Sequence, residues 1–210
     1  MMLLDMTVKD FLTALKSDAP APGGGSAAAL VGGVAAALAL MVGNLTADNE
    51  KYQTVRVEVQ SLRPQLDERL TKLERFIDED TAMFNQVMAA YRLPKTTETE
   101  KSARSQAIQA ALQQAAIAPM AVAECCEGVL SLAKRMLEIG NSNAASDVAV
   151  AGRMAHAAMW AAIYNVRINL ASIKDPVFIT DMKLRIDTVV EKTETSLSAL
   201  LAEADRKISL

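Results

Sequence analysis

Histidine, tryptophan and cysteine are nearly missing from this chain: one His, one Trp and two Cys in 210 residues. The one histidine, His156, is not read as part of a catalytic triad, and a zinc site would need more His and Cys than the chain has. The two cysteines are neighbours, Cys125 and Cys126. On a helix they point about 100° apart and are poorly placed to bridge each other, which fits a reducing cytoplasm. Positive charge is not in surplus, since the net charge is −3. A nucleic-acid partner therefore has no electrostatic support. The first residues carry Asp5, Lys9 and Asp10 and do not read as a secretory signal. No P-loop and no Rossmann fingerprint is found. Aromatic residues, glycine and proline are few, and no stretch alternates with period two. These shortages disfavour sheet, and the abundance of Ala, Leu and Met favours helix.

The chain contains a long uncharged stretch instead. From Ala19 to Ala47 there is no ionisable side chain, and the sequence reads PAPGGGSAAALVGGVAAALALMVGNLT over 20–46. Ser26 is predicted to cap a helix that follows Gly23, Gly24 and Gly25. The glycines allow close approach to the main chain, and a helix start with free N–H groups suits an anion. The same turn also serves as a flexible entry to a buried helix. The run from Ala27 to Val42 is sixteen residues, short of the roughly 20 needed to span a membrane, and is read as a core helix.

Other helices follow from period and caps. Thr7 opens a short one with Val8, Phe11, Leu12 and Leu15 on one face, ended by Pro20 and Pro22. A long pattern spans Thr54 to Arg92, with a kink or break expected at Pro64. Thr97 and Glu100 form a capping box for a helix that continues to about Glu138, with a kink expected at Pro119 and Gly140 as the C′ residue. Another runs from about Ala145 to Ile173. Asp175-Pro176 starts the last. The expected fold is all-α: a single domain over 1–210, a bundle of five to six helices, several long and kinked at proline.

Two helices carry residues out of place. Leu66, Leu73, Ile77, Phe84, Val87 and Tyr91 share a seam, and Asp80 falls inside it. A carboxylate on an apolar seam needs a partner, a raised pKa or a task. Asp78 points about 200° away from Asp80 on a helical wheel. On the helix after Gly140, Asp147 and Asn165 lie on one line, with Asn169 one turn further. The asparagines either bind a polar ligand or tie helices together. Arg153, His156, Trp160, Tyr164 and Arg167 form a third stripe, read as a subunit contact.

Taken in order, PAPGGGSAAAL (20–30), MVGNLT (41–46), IDEDTAMF (77–84), MAAYRLPK (88–95), GN (140–141), SDVAVA (146–151) and NVRINL (165–170) resemble the cyclodeaminase/cyclohydrolase family of one-carbon folate metabolism. The resemblance covers about residues 3 to 175. Thr81 stands where the family often has Ala or Ser, and His156 matches no fixed position. The resemblance implies an all-helical homodimer in the cytoplasm, a tetrahydrofolate derivative as substrate and no metal; net charge and helix length predict no nucleic-acid partner and no membrane span. By position it points to Gly23, Gly24, Gly25, Ser26, Asp78, Asp80, Lys95, Asn141, Ser146, Asp147, Asn165 and Asn169. The expected activity is methenyltetrahydrofolate cyclohydrolase. Formimidoyltetrahydrofolate cyclodeaminase, releasing ammonia, and a non-catalytic folate-binding dimer are the alternatives. The choice of Asp80 as the reacting acid rests on the helical seam. Asp147 is assigned as a second acid or orienting group, and Arg92 with Lys95 is expected to hold the acidic tail of the folate.

Overall fold

The computed structural model describes residues 2–208; Met1, Ser209 and Leu210, which the 1–210 domain reading includes, lie outside the described residues. Six α-helices follow one another: α1 (Val8–Leu15), α2 (Gly24–Ala47), α3 (Arg56–Tyr91), α4 (Glu98–Ile139), α5 (Ala145–Leu170) and α6 (Pro176–Ile208). Among the described residues there is no strand, so the expected all-α bundle is what forms.

The caps act as their chemistry requires. The Thr7 side chain accepts from the Asp10 N–H, and Thr97 and Glu100 form the reciprocal capping box of α4. Asp175 accepts from the N–H groups of Val177 and Phe178 at the start of α6. Pro64 and Pro119 both lie inside continuous helices, so Pro64 does not break α3. The carbonyl that Pro64 leaves unpaired belongs to Gln60, which is exposed, and water can satisfy it. Gly140 closes α4 in an extended conformation rather than the left-handed one. Space explains the glycine there, because a Cβ would stand 2.5 Å from the Met136 carbonyl oxygen.

Helix α2 is the axis of the bundle, packed on α3, α4 and α5. Its Ala and Gly residues let those helices come close; a Cβ on Gly32 would be 2.8 Å from the Cys126 sulfur. Buried residues from all six helices join in one core, including Phe11, Ala36, Leu66, Leu130, Met159 and Leu200. The expected start of α2 is corrected: Gly23 is the N-cap and Gly24 the first helical residue, so Ser26 is the third. The helix is therefore 24 residues long. By length and composition alone α2 and α4 are each long and apolar enough to cross a membrane. More than half of each apolar window is buried inside the bundle, 56% and 61%, as expected of core helices.

Candidate active site at the start of helix α2

The early start of α2 has a chemical consequence. Ser26 does not cap; its hydroxyl donates to the Ile77 carbonyl at 2.7 Å and thereby fixes α2 against α3. The cap comes from the other helix. Asp80 on α3 accepts the Ser26 N–H through Oδ2 at 3.1 Å, with the Ser26 hydroxyl 3.4 Å from the same oxygen. A carboxylate beside a helix N-terminus is stabilised by the exposed N–H groups and the helix dipole. The approach depends on Gly25, since a Cβ there would stand 2.0 Å from Asp80 Oδ1. Behind the carboxylate lie Phe76, Ala118, Pro119, Val122 and Ala162. Their apolar surroundings push the Asp80 pKa above its ordinary 3.8, and the two Ser26 bonds only partly offset this.

A cleft of about 340 Å³ opens in front of Asp80, within the size range of small-molecule sites. Gly23 and Gly24 form one wall, Met83, Phe84 and Val87 of α3 a second, and Asn165, Ile168 and Asn169 of α5 a third. Helix α4 supplies the floor with Ala115, Ala118 and Pro119. Pro119 has no N–H, so the Ala115 carbonyl lacks its ladder partner. The Asn169 amide donates to that carbonyl at 2.9 Å and to the Asn165 carbonyl at 2.8 Å. Asn165 donates to the Ala161 carbonyl at 2.9 Å. Both amides thus use donors on the protein, and the Asn165 side-chain oxygen is engaged by no described residue. The N–H groups of Gly24 and Gly25 likewise meet no acceptor among the described residues. The cleft therefore offers two backbone donors, an amide oxygen and one carboxyl whose pKa burial raises.

A formiminotransferase-cyclodeaminase family profile matches residues 7–188. The chain belongs to that family. It is 38% identical over 198 residues to methenyltetrahydrofolate cyclohydrolase of Methylorubrum extorquens, covering 94% of this chain and 90% of that one. It is 30% identical to formimidoyltransferase-cyclodeaminase of Rattus norvegicus, covering 98% of this chain but 38% of that longer protein. The crystal structure of formiminotetrahydrofolate cyclodeaminase from Thermotoga maritima superposes with a TM-score of 0.88 at 29% identity, covering 96% and 97% of the two chains.

The positions expected from resemblance to this family fall into two groups. Gly23, Gly24, Gly25, Ser26, Asp80, Asn165 and Asn169 meet at the cleft. Arg92 and Lys95 are exposed just past the end of α3, beyond Val87 in the chain, and do not line the cleft. Asp78 is placed elsewhere: its carboxylate accepts from the N–H groups of Leu3 at 2.6 Å and Leu4 at 3.3 Å, securing the N-terminal segment on the other face of α3. Asn141, Ser146 and Asp147 sit at the opposite end of α2. There the Asn141 N–H donates to Thr46 Oγ1 at 2.9 Å, and the Asn141 side chain caps the turn at Asn143. Asp147 and Asn165 do share a line on α5, but eighteen residues separate them by about 27 Å along the axis. Asp147 does not reach the cleft of its own chain. On the aromatic stripe, His156 Nε2 lies 2.9 Å from Glu194 of α6 and Trp160 Nε1 donates to the same carboxylate at 3.1 Å, while Tyr164 stays exposed.

Sequence reasoning missed Met83, Ala115, Ala118 and Ile168 as lining residues. Pro119 gave a usable signal for the floor, because a mid-helix proline always leaves a carbonyl four residues back in search of a donor.

Proposed function

We propose that this protein hydrolyses 5,10-methenyltetrahydrofolate to 10-formyltetrahydrofolate, with Asp80 as the proton-transfer group. The observation that carries the reading is Asp80 itself: an acid with a raised pKa, aimed into a cleft and tied to the start of α2. As carboxylate it takes a proton from water while the oxygen bonds to the cationic methenyl carbon. The adduct is neutral. The C–N5 bond then breaks, Asp80 returns the proton to N5, and the hydroxyl proton leaves to solvent as the formyl group forms on N10. One carboxyl acts as base and then as acid, which requires a pKa nearer to working pH than an ordinary aspartate has. The free N–H groups of Gly24 and Gly25 and the oxygen of Asn165 supply fixed dipoles to the polar edge of the pterin. Arg92 and Lys95 receive the glutamate tail where it leaves the cleft.

Likeness to the Methylorubrum extorquens protein over nearly the full length of both chains favours the cyclohydrolase reading. Likeness to the Thermotoga maritima cyclodeaminase keeps a second one: N10 attacks the formimidoyl carbon and ammonia leaves, with the same acid moving the proton. Homodimeric assembly is part of the proposal. So is a cytoplasmic setting, which the two free buried thiols Cys125 and Cys126 support.

The deciding experiment mixes the protein with 5,10-methenyltetrahydrofolate and follows the loss of its near-ultraviolet band above the spontaneous rate. A parallel reaction with 5-formimidoyltetrahydrofolate is assayed for ammonia. Ammonia release without methenyl hydrolysis would transfer the assignment to cyclodeaminase. Folate-induced thermal stabilisation with neither reaction would leave a binding protein only.

A further inference from the structure

Three polar features follow one another along the wall of the cleft. Asp80 lies against Gly25 and bonds to the Ser26 N–H. Gly24 comes next, with its own N–H unpaired. Asn165 of α5 is the third: a Cβ added to Gly24 would stand 3.4 Å from Asn165 Nδ2 and 3.8 Å from Oδ1. The orientation of that amide is set by its neighbour. Nδ2 donates to the Ala161 carbonyl at 2.9 Å, and a reversed amide would bring two oxygens together. Oδ1 is therefore the free end, and it can only accept.

Asn169 holds this arrangement in place. Its Nδ2 spans two helices, donating to the Ala115 carbonyl of α4 at 2.9 Å and to the main-chain carbonyl of Asn165 at 2.8 Å. The Ala115 carbonyl is open to it because Pro119 has no N–H. The turn of α5 that carries Asn165 is thereby pinned to α4.

The order along the wall is acid, donors, acceptor. A reduced pterin acted on at N5 presents the complementary order. N5 meets the acid. The 4-oxo oxygen, peri to N5, accepts. N3–H, the next ring position, donates. We propose that Asn165 selects a 4-oxo pterin: its Oδ1 accepts N3–H while the N–H groups of Gly24 and Gly25 hold O4, and Asn169 is a positioning residue that acts through Asn165. The proposal rests on the folate reading of the cleft and adds which edge of the ring the cleft reads. A 4-amino pterin reverses both groups. Its amine points donors at the glycine N–H groups, and its N3, without hydrogen, faces the Asn165 oxygen. A site with like groups opposed rejects a ligand of nearly the same shape.

The test compares 5-formyltetrahydrofolate with its 4-amino counterpart by titration calorimetry. The wild type is expected to bind the 4-oxo compound at least about 30-fold more tightly. Equal affinity, preference for the 4-amino compound, or binding of neither overturns the proposal, and no variant is needed to see it. Turnover is measured separately. A wild type with neither methenyl hydrolysis nor ammonia release sinks the functional reading, while the affinity ratio still decides the contact to the ring edge. Asn165→Leu, checked for folding by circular dichroism, is expected to lower the ratio at least about 10-fold. An unchanged ratio in the folded variant removes Asn165 from selection. Asn169→Ala is expected to lower the ratio and the melting temperature together. Adding Pro119→Ala gives the Ala115 carbonyl a donor from its own helix. The double variant is expected to regain melting temperature but not the ratio. Recovery of both would reduce Asn169 to the repair of a broken helix ladder and overturn its positioning role.

Discussion

Two aspartates two residues apart on α3 face opposite sides of the helix and meet opposite fates. Asp78 takes the backbone N–H groups of Leu3 and Leu4. Those donors belong to a short segment that also packs Leu3 and Met6 on the core, so the carboxylate works as a clasp. Asp80 also takes a backbone N–H, that of Ser26, but the donor opens a long core helix with two further N–H groups unpaired beside it. Burial has raised the pKa of Asp80. The acceptor chemistry is the same in both places. What differs is whether unsatisfied groups remain once the bond is made, and a remainder of that kind is what a ligand can use.

The contrast is broken most severely at Asp80. Asp80→Asn keeps the shape and the acceptor for Ser26 but removes the titrating group; turnover is expected to fall at least about 100-fold with the far-ultraviolet helical signal unchanged. Near wild-type turnover would remove Asp80 from the reaction. Gly25→Ala comes next. Its Cβ would fall 2.0 Å from Asp80 Oδ1, so the carboxylate must leave the α2 start. A loss of roughly 10-fold or more in kcat/KM and of about 1–3 kcal/mol in stability is expected from denaturant unfolding.

Proton linkage sharpens the comparison further. Because the folded-state pKa of Asp80 lies above the unfolded value, its contribution to stability is fully present below the unfolded pKa and is lost as pH rises through the folded pKa. Asp80→Asn is free of this loss. The melting temperature of the variant should therefore gain on the wild type as pH rises from the acid range to neutrality. An unchanging difference would mean that Asp80 is not desolvated. Ser26→Ala removes a bond that favours the charged form, so the acid limb of kcat/KM should move to higher pH. The smallest effect belongs to Asp78→Asn: turnover within a few-fold of wild type, a stability loss of about 1 kcal/mol and faster amide exchange at Leu3 and Leu4.

The helical seam was legible because period and burial are the same fact on an amphipathic helix. It placed Asp80 between Ile77 and Phe84, and both Asp80 and Phe84 line the cleft. The entry to α2 was misjudged by three residues, since Ser26 has the chemistry of a cap but Gly23 takes that place and Asp80 supplies the acceptor from elsewhere in the chain. Capping by a distant carboxylate leaves no local signature. The distance of Asp147 from the cleft of its own chain was not legible for another reason. A helical wheel reports angle and discards height, so residues on one line can be about 27 Å apart. Val87 and Phe84 follow from the seam, whereas Ala115 and Ala118 do not, because small residues on a buried helix look alike whether they meet a neighbour or a cleft.

Helix α2 has a cost during synthesis. It leaves the ribosome before α5 does, as a 24-residue greasy rod with no charge to keep it dispersed, while α5, one of its main coverings, begins only at Ala145. For about a hundred residues of translation the rod has incomplete shelter, and such exposed surface is prone to clumping. Chains terminated before residue 145 should accumulate as insoluble material or bound to chaperones, and restoring α5 on the same transcript should release them.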